Sequence, residues 1–398
     1  MPAKADAQQL TLDSAIQVAV NRNHVIKTAS LSIDQQKRLK GTSIELPKTE
    51  VSLMAGQYNG PSKQDKNITI SQSLPFPTVF SANAALMNEE IKSAEYKKAV
   101  SVNDLTLQVK QTYYRLQYLL DTKLLLQQQD SIYGQFLRAS DLRYKTGEST
   151  LLEKSAAETQ RNEVNNQLRI TEADIDIELN KFNVLLNGEG YSVVHAPNKE
   201  RVYTQNNQAV SITYNPNLSY FKQQVNVAGQ QKRVEKSRLL PDLTLGYFNQ
   251  SLIGYHDVNG QAQYFGASDR FQGFQVGVAI PLWFKSHSSK IKAADIQQQI
   301  AQNEYELAEK QLDGSFKQSY AQYLKNLKSI SYYRESALPN AELIIKQSQE
   351  AYRVGEIPYA EYLLNMRQAL SIKESYLKSL QELNQSVITL EYLTGKSK

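Results

Sequence analysis

The chain has 398 residues, 41% hydrophobic and 21% charged, with 45 Lys+Arg against 40 Asp+Glu and a formal net charge of +5. Its 24 Tyr, 11 Phe and near-balanced charge argue against disorder, and the small basic excess, with no concentrated Lys/Arg tract, argues against a nucleic-acid binder. A mean hydropathy of −0.51 and a longest apolar run of Val276–Phe284, about half of what a spanning helix needs, exclude a helical membrane protein, while zero Cys excludes disulfides, zinc–cysteine sites and cysteine catalysis.

The chain opens Met1-Pro2-Ala3-Lys4 with no apolar signal core. Either a cytoplasmic protein or a start after a removed signal is expected. Beyond Asn23 a polar helix is predicted to end at Leu46-Pro47. A strand pair follows. Val51, Leu53 and Ala55 alternate with Glu50 and Ser52, then Ile68 and Ile70 with Asn67, Thr69 and Ser71. Period two gives each strand one apolar face. From Thr78 to Tyr133 there is neither Gly nor Pro, which predicts a helix running to about Asp141. Such a length points to a helical tube, stalk or coiled-coil packing. Its apolar positions, Leu105, Val109, Tyr113, Leu116, Leu120 and Leu124, make a narrow seam on a broad wet surface. A turn at Tyr144-Lys145-Thr146-Gly147-Glu148 precedes a returning helix that ends near Leu185-Leu186-Asn187-Gly188.

The same order then recurs. Asn217 precedes a helix ending at Leu240-Pro241. Leu243, Leu245 and Tyr247 alternate with Thr244 and Gly246, and Phe274, Val276, Val278 and Ile280 with Gln275, Gly277 and Ala279. Between them, Ile253–Arg270 reads as a polar solvent loop, like Gln57–Lys66 in the first half. A second long helix starts near Ser286 and runs to Arg353, interrupted by Gly314 and Pro339. Tyr352-Arg353-Val354-Gly355-Glu356 answers the first turn, and Leu393-Thr394-Gly395 the first ending. The chain is therefore an internal duplication. Residues 1–195 form the first repeat, with a β-hairpin at 49–76 and a helical hairpin at 78–187. Residues 196–210, polar and containing Pro197, are a linker. Residues 211–398 form the second repeat, with a β-hairpin at 242–283 and a helical hairpin at 285–394. The fold class is α+β, with long antiparallel helices. Four strands, of about 9–11 residues, cannot close a barrel alone, so copies must join, with apolar faces toward lipid. Pro47, Pro75, Pro241 and Pro281 mark the strand–helix junctions.

The stretches Leu46-Pro47-Lys48-Thr49-Glu50-Val51-Ser52-Leu53 and Ser71-Gln72-Ser73-Leu74-Pro75-Phe76-Pro77, with the two Tyr-x-x-Gly-Glu turns, resemble the TolC family of outer-membrane efflux ducts over nearly the whole chain. The wording Leu46–Leu53 followed by Gly56-Gln57-Tyr58-Asn59 looks most like the Cus/Czc heavy-metal branch. The resemblance implies a homotrimer with a twelve-stranded barrel in the bacterial outer membrane and a helical tube through the periplasm. It implies partners too: a periplasmic adaptor, an inner-membrane RND pump and outer-membrane lipid, but no nucleic acid. The family usually carries a secretory signal, often with a lipidated Cys, so a removed signal is expected here.

The resemblance also assigns sites. Tyr144, Gly147, Glu148 and Tyr352, Gly355, Glu356 would be periplasmic tips that dock the adaptor; plain helix–helix turns are the alternative. Glu361, six positions beyond Gly355, and Glu153, likewise beyond Gly147, would line the closed entrance. The family's second acidic position is Leu364 here, which puts the strength of that gate in question. A solvated helix-surface carboxylate is the alternative. Phe76, Trp283 and Phe284, with Phe80, read either as a membrane-interface belt or as packing at the barrel–tube junction. His24, His195, His256 and His287 share no metal-ligand spacing, and Met54, Met87 and Met366 stand alone, so no metal site is expected. No cofactor and no catalytic residue is expected, because phosphate loops, nucleophile elbows and His-Glu-x-x-His are missing. The function expected is a passive duct of a tripartite efflux system, with heavy-metal cations as cargo. Multidrug efflux is the alternative within the family. A periplasmic adaptor or a structural coiled-coil protein is the alternative outside it.

Overall fold

The computed structural model describes residues 8–58, 62–196, 199–203 and 212–395. Most of the expected linker at 196–210, including Pro197, lies outside the described residues, as does Asn59.

The described chain divides into two compact units. A helical unit takes Met1–Ser30, Lys97–Ser219 and Ala308–Lys398; a sheet unit takes Leu31–Tyr96 and Tyr220–Leu307. The elements are β1 (Gln8–Leu10), α1 (Leu12–Arg22), α2 (His24–Leu39), β2 (Glu50–Ala55), β3 (Lys66–Leu74), α3 (Pro77–Lys145), α4 (Leu151–Leu186) and β4 (Tyr191–Val193). The second half adds α5 (Pro216–Ser237), β5 (Asp242–Ser251), β6 (Gly254–Val258), β7 (Gln261–Phe265), β8 (Arg270–Ala279), α6 (Phe284–Tyr332), α7 (Leu338–Arg353) and α8 (Tyr359–Leu393).

In the helical unit the apolar seam of α3 behaves as its spacing demands, then shifts. Leu105, Val109, Tyr113 and Leu116 are buried with Phe182 and Leu186 of α4 and Ala15 and Ala19 of α1. Leu124, expected to continue the seam, is 47% exposed, and Leu125 and Leu126 replace it. A 3.6-residue turn drifts against a fixed apolar repeat, so the buried line must step sideways along a helix this long. A second apolar cluster packs Leu125, Leu126, Tyr133 and Phe136 against Ala157, Val164, Tyr362 and Met366. A third joins Tyr323 and Ile330 of α6 to Leu380, Leu383, Val387 and Leu390 of α8. Beside these apolar clusters lies an ionic one. Lys110, almost fully buried, reaches Glu391 at 2.8 Å, and Arg201 reaches the same carboxylate and Tyr114. Burying an ammonium without such a partner would be costly.

Several expected boundaries move. The helix after Asn23 stops at Leu39 and tightens into a 3-10 turn over Lys40–Ile44, so it ends before Leu46-Pro47. Gly41 and Thr42 are poor helix residues, and Thr42 bonds its own chain at Leu39 O. Gly314 does not interrupt α6; a single glycine costs about 1 kcal/mol in a helix interior, which the surrounding hydrogen bonds carry. Pro339 does act, but indirectly. It has no N–H to give, and the backbone ahead of it widens into a π segment, Tyr333–Ala337, across which Leu338 N–H donates to Tyr333 O. A short parallel pair, β1 with β4, was not expected.

The sheet unit holds an antiparallel four-stranded sheet in the order β2-β3-β5-β8. β5 and β8 have ten residues each and β3 nine, but β2 has only six, short of the expected 9–11. Gly56 follows it at φ 126, a conformation that ends the extended run. The expected solvent loop between β5 and β8 instead folds into its own hairpin, β6 with β7. Among the helices of this unit, Gln223 Nε2 donates to Glu89, and Lys232 pairs with Asp295.

Candidate functional sites: the open sheet and the hairpin turns

Alternation along four paired strands sorts the sheet into two unlike faces. Val51, Ile70, Tyr247 and Phe274 stand in one row across all four strands. Leu245 with Val276, and Leu74 and Leu243 with Val278, extend that face. Val51 is 67% exposed, Val276 75% and Phe274 86%, while Leu74 and Tyr247 are partly covered. The reverse face carries Ser52, Thr69, Phe248 and Gly273 in one row and Glu50, Ser71, Gly246 and Gln275 in the next. There the Phe248 ring fills the space beside Gly273, where a Cβ would lie 2.6 Å from it.

Leaving a large apolar side chain in water rather than burying it forfeits about 1.5–3 kcal/mol. A whole face of them needs a nonaqueous neighbour. The strands alternate in direction from β2 to β8, and among the described residues both outer strands have one unpaired edge. An edge β8 set beside the β2 of another copy continues the antiparallel order. Pro47 lies in the segment before β2, Pro75 between β3 and α3, Pro241 just before β5 and Pro281 between β8 and α6. Phe284 opens α6; it and Trp283, 87% exposed, are bare, while Phe76 is half-buried and accepts the Val79 N–H at its carbonyl.

In the helical unit the two hairpin turns are built alike. Gly147 has φ 78 and Gly355 φ 82. Gly147 N–H donates to Tyr144 O at 3.1 Å and Glu148 N–H to Arg143 O at 2.8 Å. Gly355 N–H donates to Tyr352 O at 3.2 Å and Glu356 N–H to Ala351 O at 2.8 Å. This paired ladder is a Schellman cap, which requires the left-handed conformation at the glycine. Thr150 then caps α4, accepting the Glu153 N–H at 3.2 Å, and Pro358 precedes α8.

Glu153 and Glu361 each fall in the first turn of their helix, where a carboxylate meets the positive end of the dipole. Glu361 is exposed and Leu364 beside it is 64% exposed. Glu153 is half-exposed, and its charge together with burial, the larger cause, pushes the Tyr359 phenol up to about 12.

Behind the turns lies an aromatic cluster that the sequence reading missed. Phe136 stacks on Tyr359 with centroids 4.3 Å apart, and Tyr352 on Tyr362 at 4.8 Å. Burial pushes Tyr133 up to about 12 as well. Asp141 was also missed. It receives Lys145 and Lys154 at 2.6 Å each, and these hydrogen bonds hold its carboxyl down to about 2. The spacing Tyr359, Tyr362, Met366 is the sequence signal that could have found the cluster. Among the described residues no group of three or more His, Asp or Glu could hold a metal ion, and no helix is long and apolar enough to cross a membrane.

The fold is that of outer-membrane channels. It superposes on CusC with a TM-score of 0.78 at 15% identity, covering 98% of this chain and 93% of that one. VceC from Vibrio cholerae gives 0.74 at 16% identity, covering 96% of each chain. The CmeC outer membrane channel of Campylobacter jejuni gives 0.76 at 14%, covering 97% and 86%. No curated protein matches the sequence significantly. Residues 211–396 match the family described as outer membrane efflux protein. That match spans a little under half of the chain, and with the fold it likens the chain to outer membrane efflux proteins.

Proposed function

We propose that three copies of this chain form a duct that carries solute from the periplasm across the outer membrane. The observation that carries this reading is the open sheet: one face largely bare and apolar, the other mostly polar, and both edges free among the described residues. Three four-stranded sheets joined edge to edge give twelve strands, within the range of closed membrane barrels and wide enough for a lumen. In this reading the hairpin turns at Gly147 and Gly355 meet a periplasmic adaptor, an inner-membrane RND pump supplies the energy, and Glu361 and Glu153 line the periplasmic entrance. Trp283, Phe284 and Phe76 form the inner interface belt.

Heavy-metal cations are the proposed cargo, supported by the wording of Leu46–Leu53. The structural similarities extend equally to CusC, VceC and CmeC and do not separate one cargo from another. No metal-binding cluster is needed in a duct that passes ions without holding them. Deleting the gene and measuring cell sensitivity tests both levels. Hypersensitivity to zinc, copper or cadmium salts, restored by the intact gene, is expected. Hypersensitivity to organic dyes and antibiotics alone replaces the cargo; unchanged sensitivity to all of them contradicts the duct.

A further inference from the structure

The hairpin inserted between β5 and β8 is a shaped element. Its strands pair from Gly254↔Phe265 to Val258↔Gln261. Asn259 and Gly260 close it at φ 53 and 83, both left-handed, as a two-residue type I′ turn requires. Asp257 accepts the Gly260 N–H at 2.7 Å. Pairing sorts its side chains: His256, Gln263 and Phe265 lie on one face, Tyr255, Tyr264 and Asp257 on the other.

The first face is the packed one. His256 lies 6.0 Å from Phe265 by ring centroid, and Phe265 meets Phe271 edge-on at 5.1 Å. Phe271, in β8 two residues before Gly273 and four before Gln275, pairs with Gln250 of β5. It therefore belongs to the polar face of the sheet. The ribbon bends toward that face and away from the apolar one. Its roots are tied. Buried Asp65 accepts from Ile253 N–H at 2.8 Å and from the Ser251 hydroxyl at 2.9 Å, and Asp269 accepts from Gly266 N–H at 2.7 Å.

We propose that Gly254–Phe265 is a lid on the outer mouth of the duct. It leans over the lumenal face on the Phe265–Phe271 contact and turns the Tyr255–Tyr264 pair toward the passage. Those rings are 5.2 Å apart, 76% and 56% exposed. Three copies set three such pairs around the exit, an aromatic ring that narrows the path for bulky solutes. The inference rests on the duct reading, because it takes the polar face as lumenal.

The chain has no Cys, so a single introduced thiol is the only target for a maleimide. The test uses full-length protein in planar bilayers, with KCl current as the probe and a bulky polyethylene-glycol maleimide added to either side. Tyr264→Cys should lose most of its current on labelling from the ribbon side, and Tyr255→Cys should do the same independently. The Cys-free protein should be unaffected. Complete labelling of both variants with unchanged current overturns the lid and leaves the duct standing. A Cys-free protein that never conducts overturns the duct reading, and the lid with it.

Discussion

Asn215 does in the second repeat what Asn23 does in the first. The Asn23 side chain accepts the Val25 N–H at 2.8 Å and donates to Leu185 O at 2.9 Å. The Asn215 side chain accepts the Asn217 N–H at 2.8 Å and donates to Leu393 O at 3.0 Å. Each amide caps the start of one helix and ties it to the end of the repeat's last helix.

Removing this amide should cost more where it is buried. A helix cap is worth about 0.5–2 kcal/mol, and an orphaned buried carbonyl adds about 1–3. Asn215 is 2% exposed and Asn23 half-buried. Asn215→Ala should therefore lower the thermal midpoint more than Asn23→Ala, read by circular dichroism. Asn215→Asp, which keeps the cap and loses the donor, should fall between. Equal losses at the two sites would contradict the assignment.

The turn glycines are needed for their backbone and not for space. A Cβ at Gly147 or Gly355 meets nothing within 4 Å. The left-handed conformation alone should make each Gly→Ala cost about 1–2 kcal/mol, and Gly→Asn less. Bulky charged replacements at both, Gly147→Glu with Gly355→Glu, should abolish export while trimers still reach the membrane. Normal export from that double variant would remove the adaptor-docking role.

Glu361 tests the entrance. Three carboxylates converging on one axis attract cations and repel one another. Glu361→Ala should lower the cation preference of purified channels and relieve block by divalent ions. Unchanged selectivity would leave Glu361 as a first-turn carboxylate with a helix-dipole role only.

Asp141 sets a pH dependence. Its ordinary value of 3.8 falls to about 2 in the folded chain because Lys145 and then Lys154 hydrogen-bond its carboxylate. A depressed folded value means stability present above the unfolded value and lost as pH falls from about 4 toward 2. Asp141→Asn should thus be less stable than the parent at neutral pH and should converge with it near pH 2. A gap of constant size across that range would show that the charge does not matter.

Much of this was legible. Period-two stretches such as Phe274-Gln275-Val276-Gly277-Val278 fix a strand and its two faces at once. Both turns were visible because glycine is the residue that a left-handed helix end demands. The equivalence of the first helices was misread by two positions, because Asn217 and Asn215 both flank Pro216 and only the carbonyl of Leu393 tells them apart. The ribbon was hidden for a related reason: Val258-Asn259-Gly260-Gln261 carries a hairpin turn, but its strands are polar and short. Pairings far apart in sequence, such as Phe136 with Tyr359 or Asp65 with Ile253, leave no local pattern. The roles proposed for Glu153 and Glu361 would be set by neighbours in other copies, so no single chain displays them.

In the proposed duct the bare apolar sheet face belongs in lipid and its edges to further copies of the same chain. Extraction in mild detergent followed by light scattering measures this directly. Such a duct should need detergent to stay dispersed and have a polypeptide mass about three times the 45.1 kDa of one chain. A monodisperse monomer that stays in solution without detergent would contradict it.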